Sequence, residues 1–157
     1  MQYHPITAHG LAALKQEIVT LTAQRPDKIA ALVAARALGD LSENAEYSAA
    51  KRDLRHLESR LRYLDKLIRY AQVVPEPTGA NAAIGTDVTL VFLAEGETET
   101  YHLVGPAEAR LNPDNLASDS PLGAAVLNQA PGQVVTVAAP NGEYTVRLTH
   151  VTPTKPV

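Results

Sequence analysis

A regular repeat of apolar residues between positions 47 and 71 constrains the fold of this chain more than any other feature. Its members alternate at spacings of three and four residues, the heptad pattern of a helix packed along another helix. The repeat consists of Tyr47, Ala50, Leu54, Leu57, Leu61, Leu64, Ile68 and Ala71. Because the pattern continues for more than three heptads, we predict a coiled-coil helix rather than the helix of an ordinary globular core.

A second, less regular repeat lies upstream. It comprises Leu11, Leu14, Ile18, Leu21, Ile29, Leu32 and Arg36, with a slip of phase beside Pro26. We expect Pro26 to bend this helix or break its hydrogen bonding, because proline has no backbone N–H to donate. Two such helices joined by a few residues must fold back as an antiparallel hairpin. About 30 residues in each arm would make the hairpin roughly 45 Å long.

The chain changes character after residue 74. Prolines and glycines between residues 75 and 85 predict a linker. Beyond it, β-branched residues alternate with polar ones, Asn141-Gly142 suits a type I′ turn, and Ser120-Pro121 predicts the start of one short helix. The fold class is therefore α+β, with a coiled-coil hairpin over residues 1–74 and a small antiparallel sheet with one short helix over residues 86–157.

Charge and composition differ between the two parts. Residues 1–74 hold eleven Lys and Arg against eight Asp and Glu, a net charge of +3, whereas residues 75–157 hold three against nine, a net charge of −6. Such a split is a hint of different partners. The chain has no cysteine, which excludes disulfides and thiolate metal sites. Without a signal-like segment or a membrane-length apolar run, we expect a soluble protein of the cytoplasm. We also expect a monomer.

The bend between the two helices carries the densest acidic cluster, in the run GDLSENAEY at residues 39–47. A structural interpretation makes Asp40 the N-cap of the second helix and Glu43 the partner that completes a capping box. Gly39 suits the end of the first helix. Capping explains neither Glu46 nor why so long an arm would present the cap, so a functional interpretation stays open beside it.

The longer run ARALGDLSENAEYSAAK, residues 35–51, closely resembles the tip motif of the Gre transcript cleavage factors of bacterial RNA polymerase, in particular the GreA-like members. The opening ITAHGLAALKQEIVTL, the segment RPDKIAALVAAR and the later runs SDSPLGAAVLNQ and PNGEY are similar to the same family, so the resemblance covers essentially the whole chain. It implies an FKBP-like C-terminal domain that docks at the rim of the polymerase secondary channel. The hairpin would then pass down the channel to the active site.

The resemblance also implies a function. The chain would be a transcription elongation factor that stimulates the polymerase's own endonucleolytic cleavage of backtracked nascent RNA and so rescues arrested complexes. It would not be an enzyme by itself. Asp40 and Glu43 would supply catalytic carboxylates and share Mg²⁺ with the polymerase active site, since Mg²⁺ prefers carboxylate oxygens and water. No cofactor is expected on the chain alone.

Further residues near the tip take supporting roles by the same resemblance. Hydrogen bonds from Ser42 and Asn44 would assist the carboxylates, and Glu46 is open to both a structural and an accessory role. The cations nearest the tip are open to two interpretations: they contact the phosphates of the RNA 3′ end, or they belong to a solvated helix face with ordinary ion pairs. They are Lys51, Arg52 and Arg55.

The second half departs from the family pattern. Similar factors usually carry a basic residue and a Gly-Lys pair where this chain has Ala124 and Asn128-Gln129, which puts the strength of docking in doubt. One alternative is therefore a related modulator or inhibitor that enters the channel without stimulating cleavage. A prolyl isomerase and a plain coiled-coil adaptor are further alternatives, but the former needs an aromatic pocket and the latter has no use for the acidic tip.

Overall fold

The computed structural model describes residues 2–39 and 43–155. Its contacts define two compact units, one of residues 12–69 and one that combines the residues up to Leu11 with those from Tyr70 onward. The opening residues thus group with the second half of the chain, which no local feature of the sequence indicated. The predicted domain boundaries, with a linker over residues 75–85, stay a prediction.

Two long helices account for the first unit: α1 (Ala8–Arg36), which begins in the other unit, and α2 (Ala45–Arg69). They run antiparallel. Glu17 in the first half of α1 receives two hydrogen bonds, at 2.7 and 3.1 Å, from Arg60 in the second half of α2. These bonds raise the pKa of the Arg60 guanidinium above its ordinary value. The predicted helical hairpin is confirmed.

The apolar repeat of α2 forms the seam between the helices, as its spacing predicts. Ala50, Leu57 and Leu64 are buried, and the other members from Tyr47 to Ile68 are half-buried. Leu14 and Ala35 are buried on α1. On α2 the repeat members follow one another every three or four residues and so share one face of the helix. Burial of that face stabilises the helix without requiring exceptional helix propensity.

Pro26 lies inside α1, and the helix continues through it. Pro26 therefore does not end the helix, and the expected bend stays a prediction. Residues 22–27 are all exposed, so the carbonyl that loses its N–H partner to proline can be hydrated instead. The slip in the repeat coincides with this exposed segment and not with a break in the helix.

The second unit is built on a five-stranded sheet with strand order β5-β4-β3-β7-β6, and on a separate parallel ribbon of β1 and β2. Neighbouring strands of the sheet are antiparallel except β4 and β5, which are parallel. The elements are β1 (His4–Ile6), β2 (Ala71–Val73), β3 (Thr86–Phe92), β4 (Glu97–Val104), a 3-10 helix (Pro106–Glu108), β5 (Asn115–Ala117), α3 (Pro121–Val126), β6 (Val134–Ala139) and β7 (Gly142–Pro153).

One face of the sheet is buried by the alternation that the sequence predicts. In β3, Val88 and Leu90 are fully buried, whereas Asp87 and Thr89 point to the opposite face and are partly exposed. Short helix α3 packs on the core and starts as predicted, because Ser120 accepts a hydrogen bond from the Gly123 N–H at 3.1 Å. The core comprises Ala82, Val88, Leu90, Leu103, Leu116, Leu122, Val126, Val137, Val146 and Leu148.

The turn between β6 and β7 differs from the prediction. A type I′ turn needs positive φ at both central residues. The central residues here are Pro140 and Asn141, since Ala139 pairs with Gly142. The proline ring holds φ negative, and among the described residues of this turn only Gly142 has positive φ, at 125°. The predicted type I′ turn is wrong, although the hairpin is present.

Residues 75–85 contain no helix or strand, yet part of this segment is packed. Ala82 is fully buried in the core of the sheet. Its N–H donates to the Gln129 carbonyl at 2.9 Å, and its carbonyl accepts from the Asn128 N–H at 2.7 Å. In the part of the chain that the structure describes, no helix is long and apolar enough to cross a membrane.

Candidate functional site

The candidate site is the tip, defined as residues 37–44 between α1 and α2. As α1 ends, its hydrogen bonds tighten to three-residue spacing, with Leu38 N–H donating to the Ala35 carbonyl at 3.2 Å. Gly39 then takes a φ of +122°, a conformation that favours glycine, as the sequence predicts for the end of this helix. Asp40 and Ser42, both predicted site residues, lie outside the described residues.

Asn44 is the residue that caps α2. Its side-chain oxygen accepts a hydrogen bond from the Tyr47 N–H at 3.0 Å, and its side-chain nitrogen donates to the Ala35 carbonyl at 2.7 Å. The first bond caps the N-terminus of α2, and the second connects that N-terminus to the C-terminal end of α1. The sequence interpretation that made Asp40 the N-cap is therefore wrong, because α2 begins at Ala45 and its first turn already has a cap.

Since Asn44 caps α2, the acidic residues beside it are not needed as caps. Glu43 is exposed and precedes the cap, and no described residue forms a hydrogen bond or an ion pair with it. Glu46 is exposed in the first turn of α2, where a carboxylate suits the helix dipole. A shallow depression at the tip is lined by Leu38, Glu43, Asn44, Ala45 and Glu46. Glu43 is thus available to a partner, while Glu46 has an adequate structural role.

The predicted RNA-binding cations lie next along α2. Lys51, Arg52 and Arg55 are all exposed. The Lys51 ammonium lies 5.8 Å from the centre of the Tyr47 ring, and the Arg36 guanidinium lies at the same distance from that ring. Tyr47 therefore brings a cation from each helix together near the tip.

Arg36 was missed as a candidate for RNA binding. Its spacing places it in the apolar repeat of the first helix, so the sequence predicts that it lies at the interface between the two helices. In the structure its side chain is exposed and basic, in the last turn of α1. Its nearness to the acidic tip in the sequence was the signal that could have identified it.

The described residues contain no group of three or more His, Cys, Asp or Glu side chains placed to hold a metal ion. Glu43 offers a carboxylate of the kind that Mg²⁺ prefers. Asp40, the other predicted metal ligand, lies outside the described residues. The assignment of these two carboxylates to a shared Mg²⁺ therefore stays a prediction.

The residues that depart from the family pattern lie at and just after α3. Ala124 is exposed on the helix. Asn128 has a φ of 67°, the left-handed conformation that glycine adopts most readily and asparagine next. An asparagine can adopt this conformation with little strain, and the uncharged Gln129 follows it.

Replacing Asn44 by alanine tests the cap. We expect Asn44→Ala to lower the free energy of unfolding by about 1–2 kcal/mol, because the variant loses the cap of α2 and the bond to Ala35. The measurement is denaturant unfolding followed by helical circular dichroism. Ser48→Ala, an exposed change one turn further along α2, is the matched control and should change stability by less than about 0.5 kcal/mol. Equal stability of the two variants would contradict the role of Asn44.

Comparisons with known proteins cover both halves of the chain. Residues 4–73 match the family described as "Transcription elongation factor, N-terminal", and residues 77–153 match "Transcription elongation factor, GreA/GreB, C-term". Transcription elongation factor GreA 1 of Lactiplantibacillus plantarum is 50% identical over 93% of this chain and 94% of its own length. Transcription elongation factor GreA of Bacillus subtilis is 36% identical over 94% and 95%. The chain therefore belongs to the GreA/GreB family of transcription elongation factors.

Proposed function

We propose that the chain binds bacterial RNA polymerase and stimulates the polymerase's own endonucleolytic cleavage of backtracked nascent RNA. The observation that carries this proposal is the state of Glu43, which is exposed at the tip and has no described partner. Asn44 already caps the helix that follows, so the structure requires no carboxylate at position 43. Its relatives are named transcription elongation factors, and the tip motif resembles that of cleavage factors.

The reaction is the hydrolysis of one internal phosphodiester of the RNA. Two Mg²⁺ ions in the polymerase site would polarise the phosphate and lower the pKa of the attacking water. Asp40 and Glu43 would hold the more weakly bound ion through their carboxylate oxygens and accept the proton of that water. The water oxygen bonds to phosphorus, the bond from phosphorus to the 3′ oxygen breaks, and that oxygen takes up a proton. The products are a new 3′ hydroxyl, which can be extended, and a released fragment with a 5′ phosphate.

The rest of the tip would place the RNA. Lys51, Arg52 and Arg55 are exposed within three turns of α2's start, so they can neutralise phosphates of the extruded 3′ end. Arg36 and Lys51 lie on Tyr47, which limits the freedom of both cations before RNA arrives. The chain would thus provide carboxylates and cations, while the polymerase performs the hydrolysis.

Docking is assigned to the sheet unit at the rim of the secondary channel, on the resemblance alone. If the usual surface is used, the double variant Ala124→Arg/Gln129→Lys should bind polymerase about two- to tenfold more tightly, because each exposed ion pair contributes about 0–1 kcal/mol. The measurement is equilibrium binding to core polymerase. Thr136→Lys/Ala138→Arg, which adds the same charges at exposed positions of β6, is the matched control. Equal affinity of the two double variants would mean that the chain docks through another face.

The direct test of the proposed function uses stalled elongation complexes with a backtracked RNA. Adding the chain should release short 3′ fragments faster than the polymerase alone, and the chain without polymerase should cleave nothing. Binding without faster cleavage would favour the alternative of a channel modulator. Cleavage by the purified chain alone would make it a nuclease.

A further inference from the structure

Leu38 is exposed over 65% of its surface, more than any other large apolar side chain among the described residues. It lies in the tip, directly after α1 ends at Arg36 and Ala37. The helix dipole favours a cation at this end of a helix, and exposed turns favour polar side chains. Local structure therefore gives no reason for a leucine here, and the proposed reaction assigns it no role.

A single exposed apolar residue is common on protein surfaces, but the position of Leu38 is fixed by the cap of α2. The Ala35 carbonyl accepts two hydrogen bonds, from the Leu38 N–H at 3.2 Å and from the Asn44 side-chain nitrogen at 2.7 Å. Leu38 and Asn44 are thus attached to one carbonyl across the turn. Because Glu43 directly precedes Asn44, this shared carbonyl holds Leu38 close to the exposed carboxylate.

The surroundings of Leu38 indicate what could cover it. Leu38 and Glu43 both line the shallow depression at the tip, and the exposed cations Lys51, Arg52 and Arg55 follow along α2. A ligand suited to this combination has an apolar face and a string of anionic groups. Single-stranded RNA has both, in the faces of its bases and in its phosphates. A carboxylate and a phosphate can share a Mg²⁺ ion between them, as the proposed reaction requires.

We propose that Leu38 contacts the base of the unpaired RNA nucleotide on the 3′ side of the bond that is cleaved, and this role rests on the proposed function. Backtracking leaves that base without a template partner, so its face is accessible. The contact removes apolar surface of both groups from water, and leucine is among the side chains that proteins insert between bases. With its base on Leu38 and its phosphate at the metal that Glu43 helps to hold, the nucleotide is oriented for attack.

The contact also gives the tip a preference among bases. A purine presents a larger face than a pyrimidine and buries more surface against the leucine. We therefore expect stimulated cleavage to be faster when the nucleotide on the 3′ side of the bond carries adenine than when it carries uracil. Leu38→Ser should reduce this preference.

Three variants test the contact. Leu38→Ser removes the apolar surface, whereas Leu38→Met conserves its volume and apolar character. Val33→Ser is the matched control, because Val33 lies five residues earlier on α1 and is exposed to nearly the same degree. Since both positions are exposed, all three variants should unfold close to the parent's denaturant midpoint.

The first measurement varies the RNA in backtracked complexes, with adenine or an abasic ribose at the nucleotide 3′ to the cleaved bond. The single-turnover rate is measured at saturating factor. With adenine, Leu38→Ser should lower the rate about tenfold, the factor that corresponds to burial of an exposed leucine. Leu38→Met and Val33→Ser should stay within about twofold of the parent. With the abasic ribose, the parent and Leu38→Ser should cleave equally, because both changes remove the same contact.

Two results of this measurement would overturn the base contact. One is a rate with adenine that is the same for Leu38→Ser and the parent. The other is an equal loss in Leu38→Ser with adenine and with the abasic ribose, which would assign Leu38 to a contact with the polymerase protein.

The second measurement needs no cleavage. The fluorescent adenine analogue aminopurine replaces the same base, and the complexes contain Glu43→Gln or Glu43→Gln/Leu38→Ser. Glu43→Gln should protect the base from quenching by acrylamide, because the leucine covers one of its faces, and the double variant should give no protection beyond that of polymerase alone. Equal protection by the two would overturn the role of Leu38. Protection that depends on Leu38, with a parent chain that stimulates no cleavage, would instead overturn the proposed function and leave the base contact standing.

Discussion

Replacing Glu43 by glutamine is expected to reduce the stimulated cleavage rate at least about 100-fold, because a metal-bound carboxylate contributes several kcal/mol to the transition state and each 1.4 kcal/mol corresponds to about tenfold in rate. Asp40→Asn should have a similar effect. Glutamine keeps the size of the side chain and its ability to accept hydrogen bonds, and removes the charge that would bind Mg²⁺ and the basicity that would take up a proton. The measurement is the single-turnover cleavage rate of backtracked complexes at saturating factor.

Folding and binding serve as controls for these variants. Glu43 is exposed without a described partner, so Glu43→Gln should change the free energy of unfolding by less than about 0.5 kcal/mol. The affinity for polymerase should also be preserved. Asp53→Asn removes an exposed carboxylate further along α2 and should cleave like the parent. Parent-like cleavage by Glu43→Gln and Asp40→Asn at saturation would rule out the metal-assisting role.

Removing the tip-proximal cations gives the second large effect. Each contact with a phosphate of single-stranded RNA contributes about 0.7 to the slope of log affinity against log salt, so loss of three contacts should weaken engagement of the RNA about 100-fold at about 0.1 M salt. We expect the triple alanine variant of Lys51, Arg52 and Arg55 to need a correspondingly higher concentration for half-maximal cleavage. The slope of log affinity against log salt should be smaller in magnitude by about 2.

The matched control removes an equal number of cations from the same helix. Arg62, Lys66 and Arg69 lie toward the far end of α2 and are exposed. Their triple alanine variant should need the same concentration as the parent for half-maximal cleavage. Its slope of log affinity against log salt should also equal the parent's. If both triple variants lose activity alike, the effect is one of net charge and the contact with the RNA is not specific to the tip.

The hairpin and the sheet were predictable because their signals are local. The repeat in α2 is periodic over its whole length, and the alternation in β3 separates Val88 and Leu90 from Asp87 and Thr89 without reference to the rest of the chain. The cap of α3 follows from Ser120 and Pro121 together. In the helix and in the strand, burial of one face stabilises the element, and the spacing of the apolar residues in the sequence shows which face is buried.

The contacts that were missed join residues far apart in the chain. β1 and β2 are short, and their parallel pairing links His4 to Ala71, which no periodicity signals. Glu108 is an ordinary acidic residue in the sequence, and its burial depends on N–H and O–H donors at Thr7 and Gly105. Such partners become visible only when the fold brings them together.

The tip was predictable in composition but not in detail. The sequence drew attention to Asp40 and Glu43, yet it assigned the cap to Asp40 because several oxygen-bearing residues there can serve. The choice of Asn44 depends on where α2 starts and on its bond to Ala35, a contact between the two helices. Arg36 was likewise assigned from its spacing alone, whereas its contact with Tyr47 depends on α2.

The most direct test of the central claim is the Mg²⁺ dependence of cleavage in backtracked complexes, measured with polymerase alone, with the parent chain and with Glu43→Gln. If the tip lends carboxylates to the weakly bound metal, the saturating parent should lower the half-maximal Mg²⁺ concentration at least about tenfold, because loss of a supporting carboxylate costs about 10–100-fold in metal affinity. Glu43→Gln should bind polymerase equally well and leave the Mg²⁺ dependence close to that of polymerase alone. A half-maximal Mg²⁺ concentration that is the same with and without the parent chain would contradict the account.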